Sequence, residues 1–210
     1  MTLNRREFVQ LAAAMGASLA WGGRARASRS IWREAPQLYP EGVASGDPDH
    51  NSVILWTRRP YTGDRQMLTV EVAEDAAFRH VVATARAPVS ASSDWTTRVL
   101  VAKLKPAHTY WYRFTDSDGN GSRIGRTRTA PRPDDPRPVK FAFVSCSGVN
   151  EGKLNGYRRM IFEDERARPE DQLDFVLHLG DFIYEVVQYP GTGSPASAGI
   201  STRSRGFRTR

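Results

Sequence analysis

Leu104-Lys105-Pro106-Ala107-His108-Thr109-Tyr110-Trp111-Tyr112-Arg113-Phe114 decides the fold of the first half of the chain. Tyr110, Tyr112 and Phe114 alternate with Trp111 and Arg113. A strand through them therefore places three aromatics on one face, where they can fill a core. His108 stands in the turn before that strand and is expected to be solvated rather than catalytic. Outward from this stretch lie further short β-rich runs. Val53-Ile54-Leu55-Trp56-Thr57 reads as a buried strand, Leu68-Thr69-Val70-Glu71-Val72 alternates with period two, and Arg98-Val99-Leu100-Val101-Ala102 is another β-rich run. Thr62-Gly63-Asp64 and Ser117-Asp118-Gly119-Asn120-Gly121 supply turn residues. About ninety residues of this pattern is the size of a β-sandwich.

Leu104-Lys105-Pro106 followed by Tyr110 resembles the strand start of fibronectin type III domains. The resemblance implies a corner hydrogen bond from that tyrosine. No reactive group stands out in this half, and a sandwich by itself defines no function. Ala130-Pro131-Arg132-Pro133-Asp134-Asp135-Pro136-Arg137-Pro138 then breaks every periodic pattern. Its four prolines exclude helix and central strand, so residues 131–138 are expected to be a stiff linker.

The whole chain has 210 residues, 40% hydrophobic and 25% charged, with a formal charge of +7 and one cysteine. That length allows one or two domains of roughly 100 to 150 residues. A single cysteine rules out an internal disulfide framework. The positive excess is gathered at the ends, where nine arginines, five between Arg5 and Arg29 and four between Arg203 and Arg210, face only Glu7. The interior is close to neutral and has no basic stripe with interleaved aromatics, so no nucleic-acid recognition is expected. The longest apolar run is too short and too rich in alanine to be a stable membrane span.

Residues 1–27 read as an address. Arg5-Arg6 precedes a moderately apolar stretch from Phe8 to Trp21, and Ala25-Arg26-Ala27 ends it with small residues at the positions a signal peptidase requires. Cleavage is expected after Ala27. Paired arginines with weak hydrophobicity resemble a twin-arginine (Tat) signal, which implies the Tat export machinery as a partner, export in a folded state, and a periplasmic or secreted destination.

After the linker the pattern changes to α/β. Val139-Lys140-Phe141-Ala142-Phe143-Val144 reads as a buried strand ending in Ser145-Cys146-Ser147-Gly148. A helix is expected over 157–166, with Tyr157, Met160 and Ile161 on one face and Pro169 beyond its end. Leu173-Asp174-Phe175-Val176-Leu177-His178-Leu179 is a second strand leading into Gly180-Asp181-Phe182-Ile183-Tyr184-Glu185. Strand, helix and strand make a parallel βαβ unit, so Cys146 and Asp181 fall on the same edge, where open α/β sheets keep their sites. An unpaired cysteine there is either a small buried hydrophobe or a thiolate metal ligand. Asp181, and Tyr184 three residues on, support the second reading, because thiolate, carboxylate and phenolate together suit a trivalent Lewis-acidic iron. His178 lies inside the strand and is read as core, or as support behind the ligands.

Val43-Ala44-Ser45-Gly46-Asp47-Pro48 with Val53-Ile54-Leu55-Trp56-Thr57-Arg58, then Phe143-Val144-Ser145-Cys146-Ser147, then His178-Leu179-Gly180-Asp181-Phe182-Ile183-Tyr184-Glu185, resemble in order the motifs of the PhoD-like alkaline phosphatase and phosphodiesterase family. The resemblance runs over about residues 36–190. It implies a fibronectin III/Ig-like β-sandwich domain (36–130) followed by the start of a calcineurin-like metallophosphatase domain (139–190). It also implies hydrolysis of a phosphate-ester substrate with Fe3+ and Ca2+. Cys146 and Tyr184 would ligate iron, and Asp181 would bridge iron and calcium.

The family's remaining ligands come from later segments, whereas this sequence turns at Tyr189-Pro190 into Gly-, Ser- and Arg-rich low complexity. Only Ile200 and Phe207 are large and apolar in residues 191–210, so a disordered tail is expected there. The chain is accordingly expected to be a truncated member, its α/β domain incomplete and its activity in doubt. Three other readings stay open: an exported β-sandwich binding module without catalysis, a specificity for diesters over monoesters, and a gene fragment with no activity.

Overall fold

The computed structural model describes residues 17–21, 25–63, 65–148, 154–182 and 184. The expected tail, 191–210, lies outside the described residues, as does most of the expected address. The chain divides into two compact units, Met1–Val139 and Lys140–Arg210.

The first unit is built from β1 (Ala17–Trp21), β2 (Arg33–Glu34), β3 (Val43–Asp49), β4 (Ser52–Arg58), β5 (Arg65–Ala73), β6 (Val81–Ser90), β7 (Thr96–Ala102), β8 (Thr109–Thr115), β9 (Asn120–Gly121) and β10 (Gly125–Arg128). One sheet has the order β1-β7-β4-β3, and the other β2-β9-β8-β5-β6 with β10 also on β8. Period-two alternation sends Val53 and Leu55 of β4 and Val99 and Val101 of β7 inward from the first sheet. They join Leu68, Val70 and Val72 of β5 and Tyr110, Tyr112 and Phe114 of β8 in a single buried cluster. Two sheets sharing one core form a β-sandwich. Pro48 is accommodated in β3, an edge strand whose pairing with β4 is irregular between Gly46 and Asp49.

The aromatic strand β8 holds the sandwich in three ways. The Lys105 N–H donates to the Tyr110 hydroxyl at 2.9 Å, which is the tyrosine corner expected from Leu-x-Pro. The Tyr112 ring lies so close to Gly125 of β10 that a Cβ there would fall 2.4 Å from it, which is why that position has no side chain. Burial raises the Tyr112 phenol well above its ordinary value, even though the hydroxyl is bonded to Ser45 of β3. Arg113, on the opposite face, is not left to solvent. It is buried in an ion pair with Glu71 of β5 at 2.9 Å, its guanidinium lies 4.0 Å from the Phe78 ring centroid, and Ser28 bonds both charged groups. A local alternation rule cannot anticipate this, because the cover comes from residues far away in sequence.

His108 is also less solvated than expected. Its ring packs edge-on to Tyr110 with centroids 4.9 Å apart, and burial lowers its pKa.

At the end of the sandwich, Arg59 and Asp116 form a buried ion pair at 2.9 Å, with the Arg59 guanidinium 4.0 Å from the Tyr61 ring centroid. Asp116 also accepts from the backbone N–H groups of Asp118 and Asn120, so one carboxylate organises the Ser117–Gly121 turn. Ala17–Trp21, within the segment read as an export address, adds a parallel strand to the outer edge of β7 and buries Ala20. An uncovered edge strand offers unpaired backbone groups, and any extended segment can satisfy them.

The second unit contains β11 (Phe141–Val144), α1 (Asn155–Arg166) and β12 (Phe175–His178). β11 and β12 pair in parallel, Phe141 opposite Phe175 and Val144 opposite His178, as the βαβ reading requires. The helix begins two residues earlier than expected. Of the three residues expected on one face, Tyr157 and Met160 are half-buried, whereas Ile161 is exposed. Asp164 accepts from the Leu173 N–H, and Asp174 from the Lys140 N–H, which ties the return loop to both strands. Phe143, Phe175, Val176, Leu177 and Leu179 are exposed, so the two strands carry apolar side chains with little packed against them among the described residues.

Two measurements check the sandwich. Tyr110→Phe is expected to lower the free energy of urea unfolding by about 1–2 kcal/mol, because the corner hydrogen bond is lost while the ring stays. Desolvation raises the Asp116 carboxyl, but the bonds from Arg59, Asn120 and Asp118 outweigh it and hold the pKa below the ordinary carboxylate value. A depressed folded pKa contributes stability that is present above the unfolded value of about 3.9 and is lost as pH falls through the folded one. The acid limb of a stability-against-pH curve is therefore expected to flatten in Asp116→Asn.

Candidate metal centre

The register of β11 on β12 fixes where the chemistry falls. With Val144 opposite His178, both strands stop side by side, and the chain continues for two residues to Cys146 and for three to Asp181. The two loops stay laced together beyond the strands. Leu179 N–H donates to Val144 C=O at 2.8 Å, Cys146 N–H to Gly180 C=O at 3.1 Å, and Ser147 N–H to Asp181 C=O at 2.9 Å. Cys146 and Asp181 both take left-handed backbone conformations, φ 58° and φ 54°, and Gly180 between the strand and Asp181 has φ 128°. Non-glycine residues held at positive φ cost energy and concentrate at functional sites.

The result is convergence on one oxygen. The Cys146 thiol donates to Asp181 Oδ2 at 3.3 Å, and the Tyr184 hydroxyl donates to the same Oδ2 at 3.2 Å. Cys146 is an exposed free thiol, and Asp181 and Tyr184 are exposed as well. The contact with Cys146, then desolvation, then the Asp181 charge push the Tyr184 phenol above its ordinary range. Two neighbours that would carry negative charge as ligands thus oppose ionisation of the Tyr184 phenol, and a cation placed among the three reverses that balance. Thiolate, carboxylate and phenolate at hydrogen-bonding separation fit a hard, highly charged transition-metal ion that tolerates sulfur. Among the described residues no cluster of three or more His, Cys, Asp or Glu side chains occurs, so the tyrosine completes this donor set.

All three expected residues are brought together. The sequence reading had His178 as core or as support behind the ligands; what it missed is that Ser147 and Tyr157 join it there. Ser147 Oγ lies 2.8 Å from His178 Nε2 and is also hydrogen-bonded to the Tyr157 hydroxyl of α1. A cavity of about 340 Å³ opens beside this group, lined by residues 144–148 and 154–157. No local pattern displays this contact: the register sets Val144 opposite His178 and Ser147 three residues further on, and only the folded loop brings the serine back to the imidazole.

Comparison with known proteins places this geometry in a family. Residues 25–131 match the model of the PhoD-like phosphatase N-terminal domain, and residues 141–206 match that of the PhoD-like phosphatase. The chain belongs to the PhoD-like phosphatases. The match starts before residue 36 and reaches past Pro190 into the Gly- and Ser-rich stretch, so the similarity is longer than the motifs alone indicate. Over 198 residues the chain is 33% identical to alkaline phosphatase D of Bacillus subtilis (strain 168), covering 88% of this chain and 32% of that protein. The solved structure of PhoD superimposes with a TM-score of 0.62 at 32% identity, covering 75% of this chain and 29% of that one. The chain therefore spans about a third of the length of these relatives.

Gly180 offers a direct check of the loop geometry. At φ 128° an L side chain is strained even though nothing crowds the position. Gly180→Ala is expected to cost about 1–3 kcal/mol in urea unfolding of the second unit.

Proposed function

We propose that this chain carries the first part of the metal centre of a phosphate-ester hydrolase, with Cys146, Asp181 and Tyr184 as ligands. The observation that supports this best is the meeting of the Cys146 thiol and the Tyr184 hydroxyl on Asp181 Oδ2 at the C-terminal edge of a parallel strand pair. Family membership supports the reaction class. Cys146 and Tyr184 would hold Fe3+, and Asp181 would serve both it and Ca2+. Bound there, these ions supply neutralisation of the phosphoryl oxygens and acidification of an attacking water. The chain's own residues contribute placement: the laced loops set the three donors on one edge, and Gly180 permits the turn that brings Asp181 forward.

Substrate binding and turnover are proposed only together with the further segments that, by the family resemblance, would supply the remaining ligands. The proposed organisation is an address (1–27) read by the Tat machinery, a sandwich (36–130), a linker (131–138) and the start of the phosphatase domain (139–190). The address leads to a periplasmic or secreted location. No helix among the described residues is long and apolar enough to cross a membrane.

The test is the iron content and visible absorption of the purified chain after loading with ferric ion. A tyrosinate-to-iron charge-transfer band that is present in the wild type and lost in Tyr184→Phe is expected, with iron retention reduced at least about tenfold in Cys146→Ala. A wild-type chain that retains no iron and shows no band would overturn the assignment.

A further inference from the structure

The polar group behind the ligands is ordered by a single bond. The Gly180 N–H donates to His178 Nδ1 at 3.3 Å, which makes Nδ1 an acceptor and leaves the ring proton on Nε2. Nε2–H then donates to Ser147 Oγ at 2.8 Å. With that lone pair used, the Ser147 hydroxyl is free to donate to Tyr157 Oη. The direction runs Gly180, His178, Ser147, Tyr157, and each group has the donor or acceptor it needs. The imidazole is also fixed sideways by Phe182, whose ring meets it edge-on with centroids 4.9 Å apart.

We propose that His178 is a positioning residue for the candidate metal centre: as the neutral Nε2–H tautomer it pins Ser147, and with it the turn that carries Cys146, to the end of β12 and the first turn of α1. The geometry requires such a pin. Cys146 sits at φ 58°, a conformation that costs energy and relaxes unless its neighbours hold it. Its next residue is held on the backbone side by the Asp181 carbonyl at 2.9 Å and on the side-chain side by His178 at 2.8 Å. Removing the imidazole leaves the turn to the backbone bonds of Cys146 and Ser147 and to the Tyr157 hydroxyl, with nothing tying the serine side chain to β12. It also leaves the Gly180 N–H without this acceptor, next to the residue that carries Asp181. One side chain thus steadies both loops that supply ligands, without touching any ligand itself. The inference rests on the metal-centre reading for its meaning, but its test uses the metal-free chain.

The test has two readouts on the full chain. In the wild type, the nitrogen chemical shifts of His178 report its tautomer, and the Nε2–H form is expected. Hydrogen exchange then reports the Cys146 and Ser147 amides, which donate to Gly180 and Asp181. In His178→Ala these two amides are expected to exchange at least about tenfold faster, with the amides within β11 unchanged. His178→Gln, whose amide N–H can still reach Ser147, is expected to restore most of the protection, and Ser147→Ala to lose it. Cys146 is the sole cysteine, so its alkylation rate in the same variants follows the turn with no competing thiol. An Nδ1–H tautomer in the wild type would overturn the proposal, and so would equal exchange at Cys146 and Ser147 in the wild type and Ser147→Ala. A uniform rise across β11 in His178→Ala, not rescued by glutamine, would reduce the histidine to a general packing residue and overturn it too. A wild type with the expected tautomer and exchange pattern that binds no iron would sink the metal assignment and leave the positioning role intact.

Discussion

The site depends on the parallel register between Phe141–Val144 and Phe175–His178. Because side chains alternate along a strand, a slip of one residue would turn every side chain of β12 to the opposite face and carry Asp181 away from Cys146. Stacking of Phe141 on Phe175, with centroids 5.3 Å apart, and the Asp174 carboxylate on the Lys140 N–H fix that register at the start of the strands. The hydrogen bonds of Leu179, Cys146 and Ser147 carry it past their ends. The donors converge on Asp181 Oδ2 because the backbone beneath them has one alignment.

The two units keep their stability in different places. The sandwich buries a continuous apolar core between two sheets, and it pairs its buried charges internally, Arg113 with Glu71 and Arg59 with Asp116. Breaking either pair would leave an uncompensated buried charge, so these residues act more as locks on the packing than as sources of net energy. Among the described residues the βαβ unit has a short sheet, an α-helix with no fully buried residue, and exposed phenylalanines. Its order near the site is carried by hydrogen bonds rather than by apolar burial. The Gly180, His178, Ser147 and Tyr157 chain matters for that reason.

Much of this was legible in the residues. Alternation of Tyr110, Tyr112 and Phe114 placed the core face, Leu104-Lys105-Pro106 with Tyr110 foretold the corner bond, and strand, helix and strand after the prolines placed Cys146 and Asp181 on one edge. What was not legible shares a cause. The burial of Arg113 has no local signal because the segment that covers it, around Ser28 and Phe78, is distant in sequence. The exposure of Ile161 was not legible either, since helical spacing shows which residues share a face and not whether a partner covers that face. Residues 17–21 lie within the segment read as an address, a reading of composition and charge that says nothing of how they pair. The strand they form on β7 depends on a vacant edge that no local pattern displays.

The sequence alone therefore determined the order of the two architectures, the break between them, the family motifs and the shared edge of Cys146 and Asp181, since each rests on local spacing, periodicity or chemistry that neighbouring residues express together. Tertiary structure decided the rest: which carboxylate oxygen the thiol and phenol share, the left-handed backbone at Cys146 and Asp181, and the tautomer direction at His178. Those features are set by the pairing of segments some thirty residues apart, and a distance between side chains exists only once two strands have chosen their register.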